Sequence, residues 1–542
     1  MEADDEVVND IEVNIGGSTK WREPESPSGS TKTAACLQRS VREHGRPEPF
    51  LCDLWATEAC DDQPNEGVAG RVRESDPPIV VGDGNADHMA KGRAEEQSQQ
   101  RSDAAVRRPR KSVSSSLLEL GQKAKAEPGY RFQNLYGMIN TEMLIGCFHQ
   151  LKRGAASGVD GMTVSEYEKG LAGRIEELVE RLKAKRYRAK LVRRRYIKKT
   201  GGKLRPLGIP ALEDKLVQMA AKRVLEAIYE EDFMESSNGY RPGRGPRQTT
   251  QKLQDRLFRS RVHWMVEADI EGFFDHIDHE WMQRMLEERV DDRAFSRLIG
   301  KWLKAGVLEE TGEVLHPETG TPQGGVISPM LANIYLHYVL DLWMEKVVAK
   351  HVGGDMVYER YADDFVCGFE RKEDAERYLT ALRARLAKFG LKLSEAKSGI
   401  VRYSRNDLQG SRAFTFLGFE FYWAKTRKGF PTVKRRTSKK KFRASMSAMT
   451  GWLRKERCKP LSWLREKLSQ KLRGYWNHYG VIGNSQSLKR YWKAVKKLCW
   501  RWLNRRSQRR SYRTQGFEAM WENWDLPQPR IVETPYRPAW TR

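Results

Sequence analysis

An Asp-Asp pair set between two apolar, strand-length runs is the feature that most constrains this chain. Met356–Tyr361 and Phe365–Phe369 read as strands, joined through Ala362-Asp363-Asp364. A third apolar segment, Val262–Ile270, carries Asp269 near its end. Carboxylates in such places are costly unless something pairs with them. Two strand-end Asp brought side by side make a hard, oxygen-rich pocket that suits Mg²⁺. Two such ions about 3.5–4 Å apart serve phosphoryl transfer. Asp269 and Asp363 are therefore the expected ligands, with Asp364 adding charge. An isolated Asp-Asp would read as an ordinary β-turn; the third strand ending in a carboxylate argues against that.

Charge is distributed unevenly along the 542 residues, whose formal net charge is +25. Residues 1–100 hold 10 Lys+Arg and 21 Asp+Glu, whereas Lys425 to the end holds 32 and 6. Nine of the 16 Trp fall in that last stretch. A basic, aromatic-laced C-terminal fifth reads as a nucleic-acid surface. Trp452, Trp463, Tyr475, Trp476, Tyr479 and Trp492 are the candidates to stack on bases, although their helical spacing suits packing at least as well. Seven scattered Cys with no C-x-x-C exclude a disulfide scaffold. No apolar run reaches the ~18 residues of a membrane span, and the acidic first ten residues are unlike a targeting peptide.

Element patterns suggest an α+β core. Residues 1–115 lack any sustained period and are expected to be a disordered acidic extension. A helical pattern runs from Ser114 through Leu135 and Leu144. Thr163 is placed to cap a helix from Ser165 to about Lys185. Tyr187–Pro210 reads as a basic β-hairpin turning at Gly201-Gly202. Glu213–Glu231 is expected to be a helix with one apolar face, and the chain past residue 430 to be all-helical.

Tyr361-Ala-Asp-Asp364 resembles the active-site box of reverse transcriptases. The order of motifs is similar to that of the reverse transcriptase/maturases encoded by bacterial group II introns. The resemblance rests on Gly154–Thr163, Lys203–Pro210 (Lys-Leu-Arg-Pro-Leu-Gly-Ile-Pro), Asn238–Arg244 (Asn-Gly-Tyr-Arg-Pro-Gly-Arg) and Asp269–Asp275. It continues through Gly320–Pro329, Leu391–Lys397, Phe416–Phe419 and Leu472–Tyr479. One such box is weak; eight in order over Leu135–Arg506 are specific.

The resemblance implies a right-hand polymerase: fingers and palm with an antiparallel sheet, then a helical thumb/maturase domain. Its segments would be 116–260 for the N-terminal extension and fingers, 261–425 for the palm, 426–510 for the thumb, and 511–542 as a Trp-rich tail. The implied activity is RNA-directed DNA synthesis with two Mg²⁺ ions, Mn²⁺ being a possible substitute, by a cytoplasmic protein that also helps group II intron RNA splice and move. Partners would be intron RNA, an RNA template with DNA primer, dNTPs and a DNA target site, with no membrane. The metal set would be Asp269, Ile270, Asp363 and Asp364, with Lys397 protonating the leaving pyrophosphate. Lys203, Arg205, Gln323 and Gly324 would meet the incoming nucleotide. Phe274, with Phe273 as fallback, would exclude a 2′-hydroxyl. Arg241, Arg244, Lys439, Lys440, Lys441, Arg473, Arg505 and Arg506 would hold RNA. Other readings are a splicing cofactor that no longer polymerises, or a reverse transcriptase recruited to phage defence or CRISPR spacer acquisition; the intact carboxylates speak against the first.

Overall fold

A computed structural model describes residues 112–198, 204–506 and 511–534. The acidic extension and Lys203, with the turn around it, lie outside the described residues. The strands are β1 (Val192–Lys198), β2 (Leu204–Ile209), β3 (Trp264–Ala268), β4 (Val307–Leu308), β5 (Val314–Leu315), β6 (Met356–Tyr361), β7 (Asp364–Phe369), β8 (Gly399–Arg402), β9 (Phe414–Phe416), β10 (Phe419–Lys425) and β11 (Pro431–Thr437). They form three sheets, ordered β2-β1-β4-β5, β6-β7-β3-β8 and β11-β10-β9. With the helices around them the architecture is α+β. Among the described residues no helix is long and apolar enough to cross a membrane.

Local chemistry explains where several expectations fail. The helix that starts at Val113, capped by Ser112, stops at Ala126. Glu127-Pro128-Gly129 follows, with Gly129 at φ +84°, so the pattern through Leu144 resumes only as a second helix, Thr141–Phe148. Thr163 does cap a helix, sharing a capping box with Glu166. That helix ends at Glu168, and Gly170 at φ +85° separates it from Leu171–Lys183. The first strand begins at Val192, not Tyr187. Tyr187 is buried instead, its hydroxyl donating to Asp214 and accepting from Trp302 Nε1. Helix Leu212–Tyr229 buries Leu216, Ala220, Val224 and Ile228 as its apolar stripe requires. It also buries Val217, Ala221 and Leu225, so it runs through the core and not over it. Past residue 430 the chain is not all-helical: β11 pairs with β10 from Pro431 to Thr437 before helices Lys439–Glu456, Leu461–Tyr479 and Ser485–Leu503.

Residues 511–534 belong to this C-terminal core. Trp521 and Trp524 are buried in the same cluster as Leu464, Trp476 and Tyr491. Arg435 of β11 and Glu533 form a fully buried ion pair, Nη2 to Oε2 2.7 Å. Arg435 also donates to Thr250 Oγ1 at 2.9 Å, on helix Pro246–Arg259.

The central sheet is backed by a second buried pair. Arg360 of β6 and Asp341 are both fully buried, Nε to Oδ1 2.8 Å. Arg360 Nη1 also donates to Asn333 Oδ1 at 3.1 Å and to the Ala362 carbonyl at 2.9 Å. Ala362 sits at φ +57°, an unusual conformation for a residue with a Cβ. The guanidinium clamp therefore holds the tight turn in place. The 236–239 loop docks on the other side: Arg360 N donates to Ser236 O, and Asn238 N to Arg360 O, each at 2.9 Å. A Cβ on Gly239 would lie 2.1 Å from Ala362 N, so no side chain fits there.

Removing one member of a buried ion pair strands the other in the core, at a cost of about 3–5 kcal/mol. Asp341→Ala should lower the urea-unfolding free energy by that amount. A loss under about 1 kcal/mol would mean that water reaches Arg360.

Candidate active site

The three acidic residues singled out above meet at one end of the central sheet. β3 and β7 are antiparallel with Ala268 opposite Phe365, so the next rung brings Asp269 beside Asp364. Tyr361 pairs with Asp364, which leaves Ala362 and Asp363 as a two-residue hairpin turn. Asp269 is fixed on its other flank: its carbonyl accepts from Ser394 N at 2.8 Å, and its amide donates to Ser398 Oγ at 3.3 Å. Because Asp269 and Glu271 use their backbone groups toward residues 392–394, pleat alternation turns the Ile270 carbonyl the other way, toward the β7 side.

Electrostatics report the crowding. Burial and then the Asp269 carboxylate push Asp363 above the usual carboxylate range, while Arg205 and Arg360 pull it down. Asp364 is pushed up to about 6 by the protein packed around it, then by Asp363 and Asp269. Lys441 and Lys397 oppose that shift. The Asp364 residue is nonetheless open to solvent, so repulsion from its two neighbours is the part of the cause that geometry supports best. Lys397 forms an ion pair with Asp269, and that hydrogen bond raises its own pKa, keeping it a cation. Among the described residues no three His, Cys, Asp or Glu side chains converge as a finished metal cage. The donor set still fits a divalent cation. Asp363 and Asp364 stand beside Asp269 at the sheet end, both with pKa values raised by burial and then by neighbouring carboxylate charge, and the Ile270 carbonyl is turned toward the β7 side.

Facing this end is the sheet that contains β2. Arg205 Nε donates to Gln323 Oε1 at 2.9 Å, and Gly208 N to the Gln323 carbonyl at 2.6 Å. Gly324, at φ +114°, lies so close to this strand that a Cβ would come within 2.6 Å of Gly208 O. Arg205, Gln323 and Gly324 are thus brought together. Phe273 and Phe274 occupy one 3₁₀ turn after Gly272 and are both buried, Phe273 packing on Tyr335. Phe274 is the less enclosed, at 7% exposure against 2%. Its carbonyl accepts from Thr321 N in the loop that carries Gln323.

The predicted RNA contacts divide. Lys439, Lys440, Lys441, Arg473 and Arg505 are exposed on the C-terminal helices and their ends. Lys441 stands apart from the rest: it acts on Asp364 and packs at Gly418, so it belongs to the carboxylate cleft. Arg506 Nη2 donates to the Lys459 carbonyl at 2.8 Å, which anchors it to the neighbouring turn. Arg241 does not reach a surface. It is buried, with Nε on Glu230 at 3.0 Å and Nη1 on the Met234 and Ser237 carbonyls at 2.8 Å. Arg244 is held similarly, pairing with Glu235 at 2.8 Å. Both are held by contacts within the loop, whereas the resemblance implies that they hold RNA.

Other residues of the site carried no signal that was used. Tyr240, at φ +60° and partly exposed, faces the cleft. Burial and then Asp363 raise its pKa. Its place in the Asn-Gly-Tyr-Arg motif was the available clue. Arg360, adjacent to the acidic box, reads from sequence only as a strand residue.

Comparison with known proteins agrees with this geometry. Residues 197–421 match the family described as reverse transcriptase (RNA-dependent DNA polymerase). The chain is 43% identical over 177 residues to the group II intron-encoded protein LtrA of Lactococcus lactis subsp. cremoris, a match covering 32% of this chain and 29% of that protein. Protein YkfC of Escherichia coli (strain K12) is 31% identical over 286 residues, 47% of this chain and 75% of that protein. An Arabidopsis thaliana protein, nuclear intron maturase 4, mitochondrial, is 31% identical over 130 residues, 24% of this chain and 16% of that protein. The matched span contains β2, the acidic turn and all three carboxylates, and on these grounds the chain belongs to the reverse transcriptase family.

Proposed function

We propose that this protein is an RNA-directed DNA polymerase that also binds group II intron RNA to assist its splicing and mobility. The observation that carries the reading is the convergence of Asp269, Asp363 and Asp364 on one sheet end, with Lys397, Lys441 and Arg205 facing them. In this reading β2-β1-β4-β5 belongs to the fingers, β6-β7-β3-β8 is the palm, and the helices from Lys439 to Leu503 are the thumb. Segments 116–260, 261–425, 426–510 and 511–542 follow that division, after an extension over 1–115.

Reverse transcriptases use divalent metals, and here Asp269, Asp363, Asp364 and the Ile270 carbonyl would hold two Mg²⁺ ions, with Mn²⁺ as substitute. When bound, such ions supply the Lewis acidity that activates an attacking hydroxyl and stabilises a departing phosphate oxygen. Lys397, a cation beside the carboxylates, supplies a proton to the leaving pyrophosphate. Arg205, with Lys203 outside the described residues, receives the triphosphate in bidentate fashion. Gln323 orients the sugar or base while Gly324 lets the backbone approach. Phe274 packs where a 2′-hydroxyl would sit. Template RNA, DNA primer, dNTPs and a DNA target site are the proposed partners, and Lys439, Lys440, Arg473, Arg505 and Arg506 provide the salt-dependent grip on phosphates.

Asp363→Ala should abolish primer extension on an RNA template with dNTPs and Mg²⁺ while RNA binding survives, because a ligand is lost but no phosphate contact. Extension above a few per cent would sink the metal assignment. Phe274→Val should let ribonucleotides compete with deoxyribonucleotides in the same assay. If only Phe273→Val does so, the gate is one residue earlier; if neither does, there is no gate here. The Lys439→Gln/Lys440→Gln double variant should flatten the salt dependence of RNA binding by roughly one log–log unit per lost phosphate contact. Its extension at low salt should persist, whereas Lys441→Gln should slow extension as well. Equal behaviour of the two variants across a salt series would show that Lys441 is one more surface lysine.

A further inference from the structure

We infer that the C-terminal helices carry a pocket for one unpaired nucleotide of single-stranded RNA, formed by Trp452, Trp463, Lys467, Gln470 and Lys471. The inference deepens the RNA-binding half of the function proposed above. It assigns that half a specific site where Trp452 of helix Lys439–Glu456 meets Trp463 and Lys471 of helix Leu461–Tyr479.

The aromatic residues of this region fall into two groups. Trp476 is fully buried with its Nε1 donating to Pro527 O, and Tyr475 and Tyr491 stack on each other with centroids 3.7 Å apart and planes 3° from parallel. Those rings are core. Trp452 and Trp463 are only half-buried, with centroids 6.5 Å apart and planes tilted by 27°. That separation is at the outer end of the ~4.5–7 Å range of contacting rings, so the pair is loosely packed. Both line an open cavity of about 380 Å³, within the ~300–1,000 Å³ of small-molecule sites.

The rest of the lining matches a nucleotide. Lys471 Nζ sits over the Trp452 ring, 5.0 Å from its centroid, a cation–π contact that a base stacking on that face would displace. Lys467 adds a second ammonium, 38% exposed and paired with Glu466 Oε1 at 3.5 Å, a surface pair that a phosphate can displace. Gln470 supplies an amide; its Nε2 donates to Glu466 Oε1 at 2.8 Å, which aligns it beside Lys467. Glu466 is the acidic neighbour in a stretch holding 32 basic and 6 acidic residues. A flat ring face, a hydrogen-bonding amide and two cations are what a splayed-out base with its phosphate requires.

Position favours RNA away from the reacting duplex. Trp452 is eleven residues along its helix from Lys441, about 16 Å at 1.5 Å per residue. A base within a duplex is already stacked between its neighbours and offers no face to such a pocket, whereas a loop or bulge does.

The test uses the full-length protein and a short oligouridylate carrying one 5-iodouridine, with an RNA–DNA hybrid duplex as the comparison probe. Irradiation should crosslink the single strand to the peptide containing Trp452 or Trp463. Trp463→Leu should weaken oligouridylate binding about tenfold, or ~1.4 kcal/mol, within the range of one base–aromatic stack. Lys471→Gln, which leaves the rings in place, should reduce the salt slope by about one. Duplex affinity and primer extension at saturating duplex should be unchanged in both variants. Crosslinking elsewhere together with unchanged affinity in both variants would overturn the pocket. So would an equal loss for duplex and single strand, which would mark a general phosphate surface. So would capture by this pocket of a protein segment in place of RNA. Wild-type protein that binds and crosslinks the oligouridylate but extends no primer would count against the polymerase reading and leave the pocket standing.

Discussion

The buried pair of Arg360 and Asp341 is the interaction on which the acidic site depends. One guanidinium reaches four separate parts of the chain: the Asp341 carboxylate, Asn333, the Ala362 carbonyl and Ser237. Each contact fixes something different. Asp341 and Asn333 belong to the long buried helical stretch under the sheet, Ser237 to the loop that brings in Tyr240, and Ala362 to the turn itself. A left-handed alanine between two strands would be under strain if free. Here the carbonyl that must point inward finds a charged donor, and charge-assisted hydrogen bonds are about twice as strong as neutral ones. The pair is less a source of net stability than a positional device, since burying two charges gains little over an apolar replacement.

What the clamp positions is an electrostatic deficit. Burial and then neighbouring carboxylate charge raise the pKa values of Asp363 and Asp364, and the cations that oppose those shifts include Arg205 from β2, Lys397 from the turn before β8, and Lys441 from the start of a C-terminal helix. A folded chain that holds three carboxylates together with only partial compensation forgoes stability at neutral pH, and does so where a cation can enter. This is why the region reads as a reaction centre and not as a structural ion-pair network. In the network behind it, by contrast, the fully buried Glu359 has Arg256 at 2.8 Å and Asn238 at 2.8 Å.

The same contrast explains what was legible in the sequence. β6 and β7 could be read because apolar runs broken by two carboxylates have few other uses, and Asp269 because its strand ends where the charge begins. Residue pairing across the sheet then follows from strand geometry. Helix ends were read less well, since Gly129 and Gly170 interrupt patterns whose apolar spacing continues past them. Arg241 was misassigned for a physical reason. An arginine in a Gly-Pro loop normally faces water, and only the fold reveals that the loop wraps around it with three carbonyl and carboxylate partners. Arg360 gives the opposite case, a charged residue inside an apolar strand whose pairing partners lie far away in the sequence. Long-range partners such as Asp341 and Ser237 leave no local trace.

The C-terminal segment shows how such distant partners join separate parts of the chain. Arg435 on β11 bonds at once to Glu533, to Thr250 and to Gln254. Val532 N donates to Gly480 O at 2.8 Å, just beyond the helix that ends at Tyr479. Trp521, Trp524 and Leu526 dock this stretch in the apolar cluster, and Glu533 adds a charged anchor, because without it the buried Arg435 would sit in the core without its carboxylate partner. The stretch through Glu533 is thereby tied to the helix that begins with Pro246, directly after the loop that packs Gly239 against Ala362. Two buried arginines, one behind the acidic turn and one behind the C-terminal helices, hold opposite ends of that loop-and-helix unit. The placement of the basic helices relative to the carboxylates is thus set by buried ion pairs, while the lysines that face the cleft remain available for a ligand.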